Sequence, residues 1–133
     1  MIQLIKKGND VDVSKDSIVI LLNTYTLEGG RVLDVTGFAP NAIQAGHIVI
    51  RENATGTYKP MPISGAEFGE LPEDHSFAGI VVASVDKVTQ GGGVGVMVQG
   101  AVNEKAMPYK IPTALEAEVK TALNQIYFSY DNK

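Results

Sequence analysis

Residues 79–102 read GIVVASVDKVTQGGGVGVMVQGAV, two valine-rich runs on either side of a glycine cluster. In the second run every other residue from 94 to 98 is a valine, which is the two-residue period of a pleated strand. The pattern therefore predicts strands over Gly79–Val88 and Val94–Val102, joined by a hairpin turn at Gln90–Gly93.

Upstream of this pair, three more segments favour strands. Ser17–Thr26 contains a continuous apolar run, Ile18–Leu22, whose length is typical of a strand buried on both faces. Gly46–Glu52 is a second apolar stretch. The sequence Asn53–Gly56 is typical of a turn, and it reverses this stretch into a return strand at Thr57–Met61. The upstream half of the chain therefore favours β structure as well.

Two segments have no regular pattern. Lys59–Asp74 is expected to be a long surface loop, because its prolines and glycines interrupt regular structure. Residues 1–16 hold one short apolar stretch followed by polar residues, which favours either an edge strand or an extended N-terminal arm. Surface loops often carry binding contacts, so both segments are candidates for an interaction surface.

One helix is predicted, over residues 113–126. Thr113 and Glu116 have the spacing of a capping box, which typically begins a helix. The apolar residues of the segment fall on one helical face: Leu115, Val119, Ala122, Leu123 and Ile126. The aromatic segment Tyr127–Tyr130 then predicts a final β segment. The expected fold class is mainly β with one C-terminal α-helix (α+β), a small β-barrel or sandwich in a single domain, 1–133.

The composition is that of a globular domain, with 133 residues of which 44% are hydrophobic and 20% are charged. The formal net charge of -4 disfavours direct nucleic-acid binding, because phosphate contacts need an excess of Lys and Arg. The absence of cysteine excludes disulfides and thiolate metal sites. The apolar run Ile18–Leu22 is too short to cross a membrane, and residues 2–7 do not form a signal peptide, so we expect cytosolic synthesis and no membrane partner.

No motif in the sequence predicts catalysis. The glycine cluster 91–95 lacks the Lys and Ser/Thr of a phosphate-binding loop, and the alternating segment Asp10–Asp16 lacks the later Gly and Glu of an EF-hand. His47 and His75 are not spaced as zinc ligands. Ser, His and Asp at 74–76 are adjacent and cannot converge as a catalytic triad. We therefore expect no enzyme activity, no catalytic residue, no metal site and no cofactor.

Between Ala45 and Tyr109, five short motifs follow one another: AGHIVIREN, GTYKPMP, AGIVVASVD, VGVMVQ and GAVNE. This order resembles tailed-phage capsid accessory proteins, namely head decoration proteins and the capsid-attached base domains of head fibre proteins. A C-terminal helix followed by Tyr127 and Phe128 is similar to the head fibre pattern in particular. The N-terminal part, Met1–Pro40, has no clear counterpart in head decoration proteins.

The resemblance implies a decoration-protein-like fold and a non-enzymatic virion structural protein. Such proteins typically sit as trimers at local threefold positions on the outer capsid surface, after synthesis in the host cytoplasm. The implied partners are the major capsid protein and further copies of the chain, without nucleic acid or membrane. A protein that binds the assembled shell and not its dissociated subunits stabilises the shell by mass action.

The residues that touch a capsid or a neighbouring subunit are a hypothesis at this point. The apolar N-terminal arm could add a strand to a capsid sheet, or it could pair within its own domain. The candidate contact residues are Ile2, Leu4, Ile5, Tyr58, Phe68, Tyr127, Phe128 and Tyr130. The alternative function is a small β domain that binds a glycan or another ligand, such as a host-surface adhesion module, through Tyr58 and Phe68. An enzyme with an unrecognised site is a third and weaker hypothesis.

Overall fold

The computed structural model describes residues 11–90 and 93–129. Ten strands lie in this part of the chain: β1 (Ile20–Thr26), β2 (Ala42–Ile43), β3 (Ile48–Glu52), β4 (Tyr58–Pro60), β5 (Ile63–Ser64), β6 (Glu67–Phe68), β7 (His75–Val81), β8 (Val85–Asp86), β9 (Val96–Asn103) and β10 (Ile126–Ser129). The helices are α1 (Asp16–Val19), α2 (Thr113–Ala122) and a short 3-10 helix (Glu104–Ala106). The prediction of a mainly β, α+β fold is confirmed.

Six strands form one sheet, in the order β1-β9-β7-β3-β4 with β10 beside β9. Neighbouring strands are antiparallel, except that β10 runs parallel to β9. β7 pairs with the first part of β9 and β10 pairs with its last part. Within the described residues β1 and β4 do not pair with each other, so the sheet is open and is not a closed barrel. Two small separate sheets are formed by β2–β8 and β5–β6.

Apolar side chains pack on both faces of the sheet. In β3, Ile48 and Ile50 belong to one core and the intervening Val49 belongs to another, as the alternation of a strand requires. The larger core holds fourteen buried residues: Val19, Ile48, Ile50, Met61, Phe68, Ile80, Met97, Val102, Met107, Ile111, Val119, Leu123, Ile126 and Phe128. The smaller core holds Leu33, Phe38, Ile43, Val49, Val81, Val94 and Val96. Burial of each large side chain contributes about 1.5–3 kcal/mol, so these two cores stabilise the sheet from both sides.

The predicted reversal at Asn53–Gly56 is confirmed. β3 and β4 pair antiparallel on either side of it, and the amide of Gly56 donates to the carbonyl of Glu52 at 2.8 Å. Gly56 has a φ of +79°, in the left-handed region where glycine carries no steric penalty. The local turn signal was therefore sufficient to predict this hairpin.

The expected hairpin at Gln90–Gly93 is wrong. β7 and β9 do pair antiparallel, but β7 ends at Val81 and β9 begins at Val96. The connection contains β8, which pairs with β2 rather than continuing the predicted strand. A turn does form locally, since the amide of Gly93 donates to the carbonyl of Gln90 at 3.0 Å. Gln90 and Gly93 therefore lie within a long connection between β7 and β9.

The predicted helix begins at Thr113 as expected but ends at Ala122, four residues early. The capping box does not form, because Pro112 occupies the N-cap position and no side chain caps the helix. Ile126 begins β10 instead, and its side chain is buried in the larger core. An apolar residue at helical spacing is buried equally well by a strand, which explains the wrong boundary.

The segment Lys59–Asp74 is not only a surface loop. It contains the two-stranded sheet of β5 and β6, and Met61 and Phe68 are completely buried in the larger core. Prolines and glycines predicted a surface loop without regular structure, and they predicted neither the two short strands nor the core side chains that this segment supplies.

Candidate functional site

β1 is the outermost strand of the sheet, and five consecutive residues, 21–25, are exposed. The prediction that Ser17–Thr26 forms a strand buried on both faces is therefore wrong. Its first residues belong to helix α1, and the rest forms an edge strand with one partner, β9. An apolar run indicates a strand but not its position in the sheet.

Irregular pairing explains why neighbouring side chains of β1 are exposed together. Between Ile20 and Thr26 the register of β1 to β9 shifts three times. A bulge interrupts the strict alternation of side chains between the two faces of a strand. Both faces of β1 are exposed between Leu21 and Tyr25, so its apolar residues lie at the surface rather than in the core.

Cross-strand pairing joins Leu22 of β1 to Tyr127 of β10. Leu22 is paired with Ala101 of β9, and Ala101 is paired with Tyr127. Directly paired residues project from the same face of a sheet, so these side chains form one row across three strands. Leu22 is 59% exposed and Tyr127 is 70% exposed, with the half-buried Ala101 between them.

A second pair extends this row. Gln99 donates a hydrogen bond to the side chain of Gln125 at 3.3 Å, and Gln125 lies two residues before Tyr127, so the Gln99 side chain lies beside this row. Its partner in β1 is Tyr25, which is 44% exposed. We call the surface made by Leu22, Tyr25, Gln99, Ala101 and Tyr127 the outer face. None of these five residues is charged, and all of them except Gln99 are aliphatic or aromatic. The outer face is therefore a mainly apolar patch that spans three strands.

The two edges of the sheet differ in how they are protected. The β4 edge is only three residues long and ends at Pro60, which has no N–H to offer a further strand. The amide of Asp34 also donates to the carbonyl of Tyr58 in β4 at 2.8 Å. β1 is seven residues long and contains no proline and no charge, although its bulges give it some edge protection.

Two contacts fix β1 to the rest of the molecule. Just before β1, the Asp16 carboxylate accepts hydrogen bonds from the Ser84 hydroxyl at 2.7 Å and from the Ser84 amide at 2.9 Å. The Ser84 hydroxyl oxygen in turn accepts from the amide of Ala45 at 2.9 Å. Within the sheet, a Cβ placed on Gly100 would overlap the carbonyl oxygen of Leu22, so the two backbones are in close contact. The outer face is therefore held on a fixed scaffold.

The eight predicted contact residues are not brought together. Ile2, Leu4, Ile5 and Tyr130 lie outside the described residues. Tyr127 belongs to the outer face. Tyr58 is half-buried, with the Arg31 guanidinium 5.4 Å from the centre of its ring. Phe68 and Phe128 are buried in the larger core, so in this structure they are packing residues and not surface contacts.

A carboxyl pair lies between the end of β9 and helix α2. The Lys120 ammonium is 3.2 Å from Glu104 and 3.7 Å from Glu116. Burial, and the hydrogen bond to Glu116, raise the pKa of Glu104, while Lys120 opposes this effect. The lysine engages both carboxyl groups, so the cluster connects α2 to the sheet and is not arranged to activate a nucleophile.

Comparison with known proteins gives this chain no relatives: no family model, no curated protein and no solved structure matches it. No helix among residues 11–90 and 93–129 is long and apolar enough to cross a membrane. The same residues contain no cluster of three or more His, Asp or Glu side chains that could hold a metal ion.

The sequence patterns did not predict the outer face, because this surface depends on strand pairings between distant positions. The apolar run predicts a buried strand at Leu22, and the valine alternation places Ala101 within the predicted strand Val94–Val102 without indicating its exposure. One local signal was available: Asn23 and Thr24 end the apolar run with two polar residues, which a strand buried on both faces does not favour.

Proposed function

We propose that this protein is a phage capsid accessory protein of the head decoration or head fibre base type, and that it binds the outside of the shell as a homotrimer. The observation that supports this proposal is the outer face, a mainly apolar patch across β1, β9 and β10 that consists of Leu22, Tyr25, Gln99, Ala101 and Tyr127. The proposal also rests on the motif order between Ala45 and Tyr109. The partner is the major capsid protein, and the role is non-enzymatic.

The chemistry of the outer face supports a protein partner. Contiguous exposed apolar residues mark protein interaction sites, and the centres of such interfaces are depleted of charge and enriched in aromatic side chains. Tyr25 and Tyr127 are both exposed on this face. A nucleic acid would require positive charge in the same place, and the five residues supply none.

A shell gains stability from such a protein by mass action. A chain that binds assembled capsid subunits and not dissociated ones stabilises the shell. At concentrations above Kd, the stabilising free energy rises with the logarithm of the free concentration of the chain. Many copies at local threefold positions would resist internal pressure together. We propose that the open sheet with a core on each face is a sandwich-like variant of the decoration-protein fold.

The test is to incubate the purified chain with expanded capsids that lack it, taken from the phage that encodes it. Bound copies are counted by quantitative mass spectrometry as the chain concentration rises. We expect saturation at a stoichiometry divisible by three and a higher capsid melting temperature. The Leu22→Lys variant should bind at least about tenfold more weakly, because a charge must then be desolvated at the interface centre.

Val88→Lys is the matched control, since Val88 is 73% exposed and does not belong to the outer face. It should bind like the wild-type chain. No binding by a folded wild-type chain would reject the capsid role. Equal binding by both lysine variants would leave the capsid role standing and remove the outer face from it.

A further inference from the structure

A small cavity lies beside β3 and β4, at the other end of the strand order from β1. Its volume is about 190 Å³. Its polar lining comes from Asp34, Thr36, Lys59 and His75, and its apolar walls include Phe38, Ile50 and Pro72. One water needs about 10–15 Å³ on the same measure, so the cavity is large enough for a group of several atoms such as one sugar ring.

The ammonium group of Lys59 is held in a defined position at this cavity. Its Nζ is 3.2 Å from Nε2 of His75 and 3.2 Å from the carboxylate of Glu52. Nδ1 of His75 lies 2.7 Å from the carbonyl oxygen of Glu73 and donates to it, so Nε2 is free to accept from the lysine. The hydrogen bond from Lys59 also lowers the pKa of Glu52.

Asp34 supplies a hydrogen-bond acceptor in the lining of the cavity. One of its oxygens accepts hydrogen bonds from the Thr36 hydroxyl at 2.7 Å and from the Thr36 amide at 3.1 Å. These two bonds lower the pKa of Asp34, in that order of importance, so the group is a carboxylate at neutral pH. The turn that they form fixes the carboxylate relative to the cavity wall.

The balance of charge selects the class of ligand. An anion would meet the Asp34 carboxylate, and the Lys59 ammonium that would attract it is already paired with Glu52. A cation would meet that same ammonium, which lines the cavity, while the Glu52 carboxylate does not. A neutral molecule with several hydroxyl groups can donate to the carboxylate and accept from the ammonium at once. Its C–H surfaces would then pack on the walls of Ile50, Phe38 and Pro72, as small-ligand sites combine apolar walls with few polar groups.

We propose that this cavity binds one neutral sugar ring, as a free monosaccharide or as the end of a glycan. This site differs from the glycan contact expected at Tyr58 and Phe68, since Phe68 is buried. β4 and β1 are at opposite ends of the strand order, so the sugar site and the outer face can be occupied at the same time. The inference is independent of the capsid role.

The test is a titration of the full ¹⁵N-labelled chain with glucose, galactose, mannose and N-acetylglucosamine, followed by amide chemical shifts. We expect saturable shifts at Thr36, Gly37 and Lys59 with at least one of these sugars. Asp34→Asn removes the charge but keeps an oxygen that can accept from Thr36. It should weaken sugar binding at least about tenfold, because hydrogen bonds to a charged group are the stronger ones.

Asp12→Asn is the matched control. The Asp12 carboxylate also accepts from an amide two residues later, that of Ser14 at 2.9 Å, and Asp12 does not line this cavity. Sugar binding should change less than about twofold in this variant. Acetate and tetramethylammonium serve as anion and cation probes at the same concentrations.

Three outcomes would overturn the proposal. The first is an absence of saturable shifts with every sugar. The second is a response of the cavity amides to acetate or tetramethylammonium and not to sugars, which would assign the site to a charged ligand. The third is sugar binding that Asp34→Asn and Asp12→Asn affect equally, which would place the sugar elsewhere on the chain.

Discussion

Nε2 of His47 lies 2.9 Å from the carbonyl oxygen of Met61, in a site where the imidazole is 1% exposed. A carbonyl oxygen only accepts, so Nε2 carries the proton that makes this hydrogen bond. The rings of Phe38, Phe68 and Tyr109 surround it edge to face, with centroids 5.0–5.5 Å away. Burial lowers the pKa of His47 to about 4, although the bond to Met61 opposes this.

This histidine should make the protein less stable in acid. Because the folded chain resists protonation of His47 and the unfolded chain does not, stability is lost as pH falls from about 6.5 to about 4. The loss should be about 3 kcal/mol relative to His47→Gln, which cannot take up a proton. Urea unfolding of both chains at pH 7.5 and pH 4 measures the difference.

The other histidine is the control for this experiment. A second comparison uses His75→Gln in place of the wild-type chain. The loss of stability between pH 7.5 and pH 4, relative to His47→Gln, should be the same in this comparison. If the difference disappears in His75→Gln, or if the His47→Gln curve runs parallel to the wild type, then His47 is not the source.

Glu104 should act on stability in the opposite direction. Burial and the neighbouring Glu116 raise its pKa, so the folded chain favours the protonated carboxyl. The contribution is present below the unfolded pKa of 4.5 and is lost as pH rises through the folded value. Glu104→Gln should therefore gain stability relative to the wild type between pH 4 and pH 7. Glu118→Gln, an exposed change on the same helix, should show no such gain in urea unfolding.

Gly79 in β7 should not tolerate even a methyl group. A Cβ there would lie 2.6 Å from the carbonyl oxygen of Met97 and 2.6 Å from Cγ1 of Val96. Gly79→Ala should cost about 1–3 kcal/mol, because the central strands must move apart. In Gly69→Ala the nearest atom would be 3.5 Å away, an ordinary contact, so calorimetry should show a much smaller loss. Equal losses would mean that crowding against β9 is not the cause.

Gln90 connects two distant segments through its side chain. Its amide accepts from the Leu33 amide at 2.8 Å and donates to the Leu33 carbonyl at 2.9 Å and to the Lys87 carbonyl at 2.9 Å. Gln90→Ala should cost about 2–4 kcal/mol, since buried backbone groups lose their partners. Gln99→Ala, on the exposed outer face, should cost less than about 0.5 kcal/mol in the same denaturant experiment. A loss for Gln90→Ala as small as this would show that water replaces the side chain.

Local patterns predicted the elements that local interactions determine. The turn at Asn53–Gly56 depends on residues within one turn of each other and is confirmed. The start of the helix at Thr113 is confirmed as well, although the capping box that predicted it does not form. The end of that helix was wrong, because Ile126 is buried by pairing with β9 rather than by a helical face. Neighbouring residues contain no information about such a pairing.

The candidate site was less predictable for the same reason. Tyr127 was identified from the sequence, but its surface neighbour Leu22 is more than a hundred positions away and was assigned to the core. Phe68 was expected at the surface because prolines surround it, although its ring contacts the buried His47. The position of a strand in the sheet decides which of its apolar residues are exposed, and periodicity does not reveal that position.

The pairing of β1 has a consequence for how the chain folds. Ile20 pairs with Val102, so β1 can join the sheet only after most of the chain has left the ribosome. Contacts between such distant positions form slowly, because a long loop must close before any pairing energy is gained. Until then, the apolar residues of β1 are exposed to other nascent chains. We expect the period between synthesis of β1 and of β9 to be the stage at which this protein depends most on chaperones.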